Sequence, residues 1–256
     1  MGYKYYDILN PSSIFQGFEG EPSAYINIIT LRQSFDRSSV DAPIYPRSGS
    51  IISFSVEATP PYSLFGKEKD YTDIPDAEKF NLLEYHKWRF NSNWFFRIVG
   101  DMVLSTKIEA GYLGSYNKKL GISPFERYFL GGSGLIGNGF WGLDGREIIA
   151  LRGYPNNSIN NNNKGYPIYN RFIMELRYPI TLNQSAPVWV LGYLEAGNGF
   201  ENFRSYNPFN LKRAAGFGVR VMLPMVGLLG LDWGYGFDQT NPEEKSQFHF
   251  IIGQQF

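Results

Sequence analysis

The stretch NWFFRIVGDMVLSTKIEAGY, residues 93–112, decides the fold class. Apolar side chains occupy most of its even positions, whereas its charged side chains, such as Arg97, Asp101 and Lys107, occupy odd positions. Alternation with a period of two is typical of a β-strand with one apolar face and one polar face. We therefore predict one long strand in the wall of a transmembrane β-barrel, with lipid on its outer face and water on its inner face.

The same alternation recurs along the chain and predicts nine strands plus a partial tenth at Gly2–Ile8. Besides 93–112, the predicted strands are 25–35, 50–59, 80–90, 172–178, 188–197, 215–221, 229–237 and 247–256. Short connections such as Asn91-Ser92 alternate with long ones such as 113–168, and the moderately long connection Ser34–Gly49 is the main exception. Short turns at one rim and long loops at the other are typical of outer-membrane barrels. The predicted fold class is therefore all-β, an antiparallel transmembrane β-barrel.

Composition excludes several classes of protein. The 24 basic side chains are balanced by 24 acidic ones, whereas a nucleic-acid-binding protein needs a basic surface to neutralise phosphates. The chain has no cysteine, which removes disulfides, thiol nucleophiles and cysteine-bound metals. The residues from Met1 to Asp7 lack the apolar segment of a signal peptide. For an exported protein, we expect a preceding N-terminal part that this sequence does not include.

The sequence offers little catalytic chemistry. Its two histidines, His86 and His249, fall in separate predicted strands, and we interpret both as ordinary strand residues rather than metal ligands. The glycine-flanked Ser133 lacks the strand–turn–helix setting of a nucleophile elbow or a phosphate-binding loop. We expect no enzymatic activity, no catalytic residue, no metal and no cofactor.

The loop 113–168 contains the tetrapeptide Leu151-Arg152-Gly153-Tyr154. Two predicted strands beyond it carry Glu175 and Glu195 on the faces that alternation assigns to the interior, and neither carboxylate has an obvious cation at its own level. They are either water-exposed acids in a polar lumen or partners of a cation brought from elsewhere. Arg152 supplies that cation if the loop folds into the barrel.

Four stretches together resemble the C-terminal part of the barrel of the Omp85 superfamily, most closely its BamA type. Pro124–Gly132 is similar to the approach to the sixth extracellular loop, and Leu151–Tyr154 is similar to the Val-Arg-Gly-Phe motif at its tip. Asp36–Gly49 resembles a turn of the family, and Phe248–Phe256 resembles its closing strand with a terminal aromatic. The chain departs from the motif at Leu151 and Tyr154, both conservatively, and its spacing from Gly132 to Arg152 is longer.

The resemblance implies a sixteen-stranded barrel preceded by periplasmic POTRA domains. Residues 1–256 would be its last nine to ten strands, with the first strands and the POTRA domains absent. In the family the loop-tip arginine contacts acidic and aromatic residues on the next two strands, which correspond here to Glu175, Tyr193 and Glu195. The seam between the first and last strands would be formed on one side by the outward or terminal residues Phe248, Phe250, Ile252, Gly253 and Phe256.

The resemblance implies a non-enzymatic assembly factor, integral to the bacterial outer membrane, that folds and inserts β-barrel proteins. Its expected partners are unfolded outer-membrane clients, accessory lipoproteins, and outer-membrane lipid and lipopolysaccharide. One alternative is a secretion pore of the same superfamily, of the two-partner or patatin type. A third reading is a soluble β-sandwich that stacks sugars on its exposed aromatic side chains.

Overall fold

The computed structural model describes residues 2–9, 23–65, 74, 76–134, 147–162, 164–183, 185–224 and 226–253. Its twelve strands are β1 Gly2–Leu9, β2 Ser23–Ser38, β3 Gly49–Ala58, β4 His86–Val99, β5 Met102–Gly114, β6 Tyr128–Leu130, β7 Glu147–Ile149, β8 Ile168–Thr181, β9 Val188–Phe200, β10 Lys212–Leu223, β11 Gly227–Gly236 and β12 Ser246–Ile252. The helical elements are the short α1 Tyr62–Phe65 and α2 Asp76–Lys79, and a 3₁₀ turn at Pro242–Glu244. None of the helices among these residues has the length and apolar character to cross a membrane.

Ten strands form one antiparallel sheet in the order β1-β2-β3-β4-β5-β8-β9-β10-β11-β12. Each strand pairs with the next along the chain, except that β6 and β7 lie outside the sheet and pair with each other in parallel. Within the described residues β1 and β12 are the two edges of the sheet. The prediction of an all-β, antiparallel barrel wall of nine strands plus one is confirmed.

The sheet has an apolar outer face and a polar inner face, as the alternation predicts. The outer face exposes Trp94 and Phe96 of β4 and Met174 and Leu176 of β8. Glu175, which lies between Met174 and Leu176 in the sequence, is buried on the inner face. One continuous sheet of this kind is not a sandwich of two stacked sheets. The reading of the chain as a soluble β-sandwich is therefore wrong.

The stretch 93–112 is a hairpin and not one strand. The chain turns at Gly100 and Asp101, and Asn91-Ser92, predicted as a turn, lies inside β4. The two-residue turn closes on the pair of Val99 with Met102, and a register shift between Arg97 and Val99 then pairs Phe96 with Leu104 and Trp94 with Thr106. Because of this shift, even positions stay on one face in both strands. The alternation therefore passes through the turn without a break, and only the left-handed backbone of Gly100, with φ 56°, marks it.

The predicted strand at 80–90 starts later, at His86, because residues 80–85 belong to a loop that forms a parallel bridge with the edge of β2. The backbone of Asn27 bonds to Asn81 and Leu83 at 2.8 and 3.0 Å. Leu83 and Tyr85 are buried in one cluster with Ile26. Strand alternation cannot distinguish this buried loop from a strand, since both carry regularly spaced apolar side chains.

Two further connections of the described residues pack against the inner face of the sheet. The loop between β5 and β8 contributes the buried side chains of Tyr128, Leu130, Leu151 and Tyr154 to a cluster with Tyr169 of β8. This loop therefore contributes many of the side chains of the larger buried cluster, which packs against the inner face of the sheet.

At the opposite end of the wall, the connection between β2 and β3 turns inward. Its Tyr45 packs edge-on against Trp189 of β9, with ring centroids 5.6 Å apart. The Tyr45 hydroxyl lies 3.0 and 3.1 Å from the backbone oxygens of Asp101 and Arg177. The long connection at the short-turn rim thus covers one end of the interior.

Candidate functional site

The tip of the inward-folded loop, Leu151–Tyr154, is buried against the wall. Backbone hydrogen bonds with Gly132 hold it on both sides: the Leu151 N–H donates to the Gly132 carbonyl at 3.1 Å, and the Gly132 N–H donates to Tyr154 at 3.0 Å. Gly153 has a φ of +87°, a left-handed conformation that favours glycine. The tip is therefore a tight turn that points the Arg152 side chain at the strands.

Arg152 uses all three guanidinium nitrogens, each with a different carboxylate. Its Nη2 lies 2.8 Å from Oε1 of Glu175 on β8, and its Nε lies 2.8 Å from Oε2 of Glu195 on β9. Its Nη1 lies 3.0 Å from Oδ2 of Asp232 on β11. The side chain is almost entirely buried, where charge-assisted hydrogen bonds are strongest.

Tyr193 of β9 forms the surface on which the guanidinium rests. The Arg152 Cζ lies 3.7 Å above the centroid of the Tyr193 ring, a cation–π contact. Across the sheet, Tyr193 is opposite Gly216, which is opposite Gly234. Neither glycine has a side chain to displace the ring, whose hydroxyl donates to the Trp233 carbonyl at 3.3 Å.

Each wall carboxylate also has an arginine of the wall beside it. Arg177 contacts Glu175 at 2.7 Å, and Arg171 contacts Glu195 at 2.6 Å. The expectation that the two glutamates lack a cation at their own level is therefore wrong. Their arginine partners lie two positions along the same strand or diagonally on the next one, and such pairs depend on strand register.

A third wall arginine completes the arrangement. Arg220 of β10 contacts both carboxylate oxygens of Asp232 of β11, at 2.5 and 2.8 Å. Four arginines thus share three carboxylates in a buried, fully hydrogen-bonded network. Burying charges is tolerable only when they are paired in this way.

The tip is also bound to the last strand of the sheet. The Gly153 N–H donates to Nε2 of His249 on β12 at 2.8 Å, which requires that nitrogen to be unprotonated. The sequence predicts an ordinary strand residue at this position, whereas the structure gives His249 a direct contact with the loop. The Tyr154 hydroxyl donates to the Arg213 carbonyl at 2.8 Å, and burial raises the pKa of Tyr154 to about 12.

The structure brings the predicted loop-tip residues together with Glu175, Tyr193 and Glu195. Sequence reasoning missed Asp232, His249 and the three wall arginines. A signal for Asp232 was present, because it is the one charged residue in the glycine-rich inner row of β11. The sequence does not show that this row lies near the loop. Only the strand register shows that the loop tip lies against it.

The predicted residues of the seam lie on and just after β12. Phe248, Phe250 and Ile252 are exposed on the outer face, and Gly253 follows the strand and donates to the Leu228 carbonyl at 2.9 Å. Phe256 lies outside the described residues. Seam formation by these residues remains a prediction.

The arrangement is suited to holding a loop in position. Every carboxylate of the network is already occupied by two arginines, so none is free to act as a general base or a metal ligand. Among the described residues there is no group of three His, Cys, Asp or Glu side chains that could hold a metal ion. His86, the second histidine, accepts a hydrogen bond from Trp88 at 2.9 Å.

Comparison with known proteins supports the same architecture. The family model for the Omp85 superfamily domain matches residues 5–256. Among solved structures, the chain is similar to the crystal structure of BamA from Haemophilus ducreyi lacking POTRA domains 1–3. The TM-score is 0.63 at 14% sequence identity, over 89% of this chain and 42% of that chain. No curated protein matches the sequence.

Proposed function

Because this chain belongs to the Omp85 superfamily, whose members are outer-membrane β-barrel proteins, we propose that it forms the wall of an assembly factor. The parent protein folds and inserts other β-barrel proteins into the bacterial outer membrane. In this proposal residues 1–256 are the C-terminal strands of a sixteen-stranded barrel, and POTRA domains lie upstream. The work is done without covalent chemistry, since the folding free energy of the client drives its insertion.

The observation that carries the proposal is the buried contact of Arg152 with Glu175, Glu195 and Asp232. A network of buried charges that are all paired with one another has a positional role, since it holds the loop inside the barrel. Its wall partners lie on β8, β9 and β11, and Gly153 adds a bond to β12. The loop tip thereby fixes the position of the strands next to the edge of the sheet.

The last strand of the sheet supports the proposal as well. The strand β12 is only 7 residues long, shorter than its neighbour β11, which has 10 residues. Short edge strands pair weakly, and an edge presents unpaired backbone groups to an incoming strand. A client strand can pair with β12 by this β-augmentation. The other partners are accessory lipoproteins and outer-membrane lipid with lipopolysaccharide.

The test uses the full-length protein reconstituted in lipid vesicles with an unfolded β-barrel client. Replacing Arg152 by Ala leaves three buried carboxylates with one cation fewer, so we expect the rate of client insertion to fall by at least about tenfold. Glu195→Ala should also reduce it. The double variant should lose less than the sum of the two losses in free energy, because each single change already breaks the same contact between Arg152 and Glu195. Strictly additive losses would exclude a role for the direct contact.

The secretion-pore alternative is tested in the same vesicles. A pore of this type moves a soluble exported polypeptide across the bilayer and does not accelerate the folding of a barrel client. Transport of such a polypeptide without client insertion would replace the assembly proposal with the secretion one.

A further inference from the structure

A second cluster of buried charges binds the same loop at β4, which β5 separates from β8 in the sheet. Lys87 of β4 is completely buried, and its Nζ lies 2.9 Å from Oε2 of Glu126 and 2.5 Å from Oε2 of Glu147. The same Nζ donates to the Glu126 carbonyl at 2.7 Å. All three N–H donors of the ammonium group therefore point at the loop.

Arg89, the next inward residue of β4, strengthens the contact. Its Nε and Nη2 bind the two carboxylate oxygens of Glu147 at 3.0 and 2.8 Å. Such a bidentate pair fixes direction as well as distance. Glu147 thus receives one cation from each of two neighbouring inward positions of β4.

The pairing of β6 with β7 explains how two distant acids reach one lysine. Tyr128 of β6 lies opposite Glu147 of β7, and Glu126 lies two residues before Tyr128. Glu126 has a left-handed backbone, with φ 65°, which costs a non-glycine residue about 1–2 kcal/mol. In this conformation both its carbonyl and its carboxylate reach Lys87.

The two ends of the loop have opposite polarity. At β4 the wall supplies the cations Lys87 and Arg89, and the loop supplies the acids. At β8, β9 and β11 the loop supplies the cation Arg152. A loop that inverted in the interior would place Arg152 beside Lys87 and Arg89, and like charges are strongly unfavourable in a desolvated site. The two clusters together therefore favour one orientation of the loop.

We propose that Lys87 and Arg89 are positioning residues for the loop, and that with Glu126 and Glu147 they form a second anchor, independent of the loop tip. The proposal concerns where the loop lies and not the assembly activity. Loss of the β4 anchor releases the stem of the loop from the wall while the sheet stays paired.

Residues 1–256 contain no cysteine, so a thiol introduced among them reports on this part of the barrel alone. Ala150, between β7 and the tip, is buried in the interior, so Ala150→Cys reports the loop position through its rate of reaction with a water-soluble maleimide. In folded protein in detergent, Lys87→Met should raise that rate on the order of a hundredfold, because one partner of a buried ion pair is removed. Faster gel migration of the unheated sample verifies that the barrel is folded.

Lys107→Met is the matched control. Lys107 is also an inward lysine, but its 2.8 Å ion pair is with Glu109 of the same strand, so its loss should leave the labelling rate within about twofold of the parent. If Lys87→Met labels no faster than Lys107→Met, the second anchor is refuted. If Lys87→Met does not fold, Glu147→Gln tests the same contact from the loop side, and it must also accelerate labelling.

A rescue separates charge pairing from the packing of the lysine stem. Adding Glu126→Gln to Lys87→Met replaces the carboxylate that faced the lysine by a neutral amide, so labelling should slow again by at least about threefold. The Lys87 Nζ also lies 4.7 Å from the centroid of the Tyr128 ring. If Lys87 mattered only through its packing on Tyr128, the second substitution would bring no recovery, and the proposed ion-pair anchor would be wrong.

Discussion

At the scale of single residues, the shape of the Arg152 side chain matters as much as its charge. A guanidinium group presents its donors in a rigid planar fork, whereas an ammonium group is a compact point charge. The carboxylates of Glu175, Glu195 and Asp232 approach this fork from three strands, one at each nitrogen. The flat group also lies against the Tyr193 ring.

Arg152→Lys separates these two properties. The substitution keeps the positive charge but cannot reach three carboxylates in one plane, and each charged hydrogen bond lost costs about 1.5–3 kcal/mol. We expect the urea midpoint of the folded protein in lipid vesicles to fall, and maleimide labelling of Ala150→Cys to accelerate, nearly as far as with Arg152→Ala. A lysine variant that matched the native protein in both measurements would show that charge alone suffices.

The residues of this network differ in how far the sequence predicts them. Alternation assigns Glu175, Tyr193 and Glu195 to the inner face, and the resemblance to the family suggests that they face the arginine. Asp232 is also on an inner face, but its distance from the loop depends on how β8 to β11 are aligned. A single sequence carries no direct record of that register, because each strand alternates in the same way.

At the scale of elements, the hairpin of β4 and β5 shows what alternation cannot detect. The register shift beside its two-residue turn keeps the phase of the pattern unchanged, so the two strands read as one. The dipeptide Gly100-Asp101 is a turn signal, but Asn91-Ser92 is an equally good one and lies in mid-strand. Length decides between them: 20 residues from 93 to 112 exceed the roughly 9–11 that cross a membrane.

The inner face of β11 has glycines where the loop tip approaches it. A Cβ on Gly234 would lie 2.4 Å from the Tyr193 hydroxyl and 2.7 Å from the backbone nitrogen of Gly153. The backbone of the loop tip cannot move aside by rotating a side chain, so Gly234→Ala should displace the tip. We expect a loss of about 1–3 kcal/mol in the free energy of unfolding, measured by urea denaturation in lipid vesicles.

Gly192→Ala is the control for this prediction. A Cβ on Gly192 would have its nearest neighbour, the Gly216 carbonyl oxygen, at 4.0 Å, so the methyl group fits and the unfolding free energy should stay within about 0.5 kcal/mol of the native value. Equal losses of unfolding free energy at both positions would mean that Gly234 is needed only for the backbone conformation of the strand and not for the close approach of the loop tip.

At the scale of the whole molecule, the loop between β5 and β8 is a cross-link between two parts of the wall. Its stem binds β4 through Glu147, and its tip binds the strands from β8 to β12 through Arg152 and Gly153. Ion pairs hold both the stem and the tip of this loop against the wall. The stability of the assembled structure should therefore respond to protonation of the loop acids.

The pH dependence follows from Glu147. Burial raises the pKa of this carboxyl, but hydrogen bonds from Arg89 and the charge of Lys87 outweigh burial and lower the pKa to about 2, from 4.5 in an unfolded chain. Its stabilising contribution is thus complete above pH 4.5 and is lost as the pH falls from 4.5 towards 2. We expect the difference in unfolding free energy between the native protein and Glu147→Gln to narrow over that interval. A difference that stayed constant from pH 6 to 2.5 would contradict the assignment.

The hydrogen bond from Gly153 to His249 has a consequence for the edge strand itself. Because β12 and the loop tip share this bond, their positions are thermodynamically linked, and linkage acts equally in both directions. Whatever favours departure of β12 from its place weakens the seating of the tip by the same free energy, and a firmly seated tip holds β12 closed to the same extent. Pairing of another strand with the edge of β12 therefore affects the position of a loop tip that lies 96 residues earlier in the sequence, through one imidazole nitrogen.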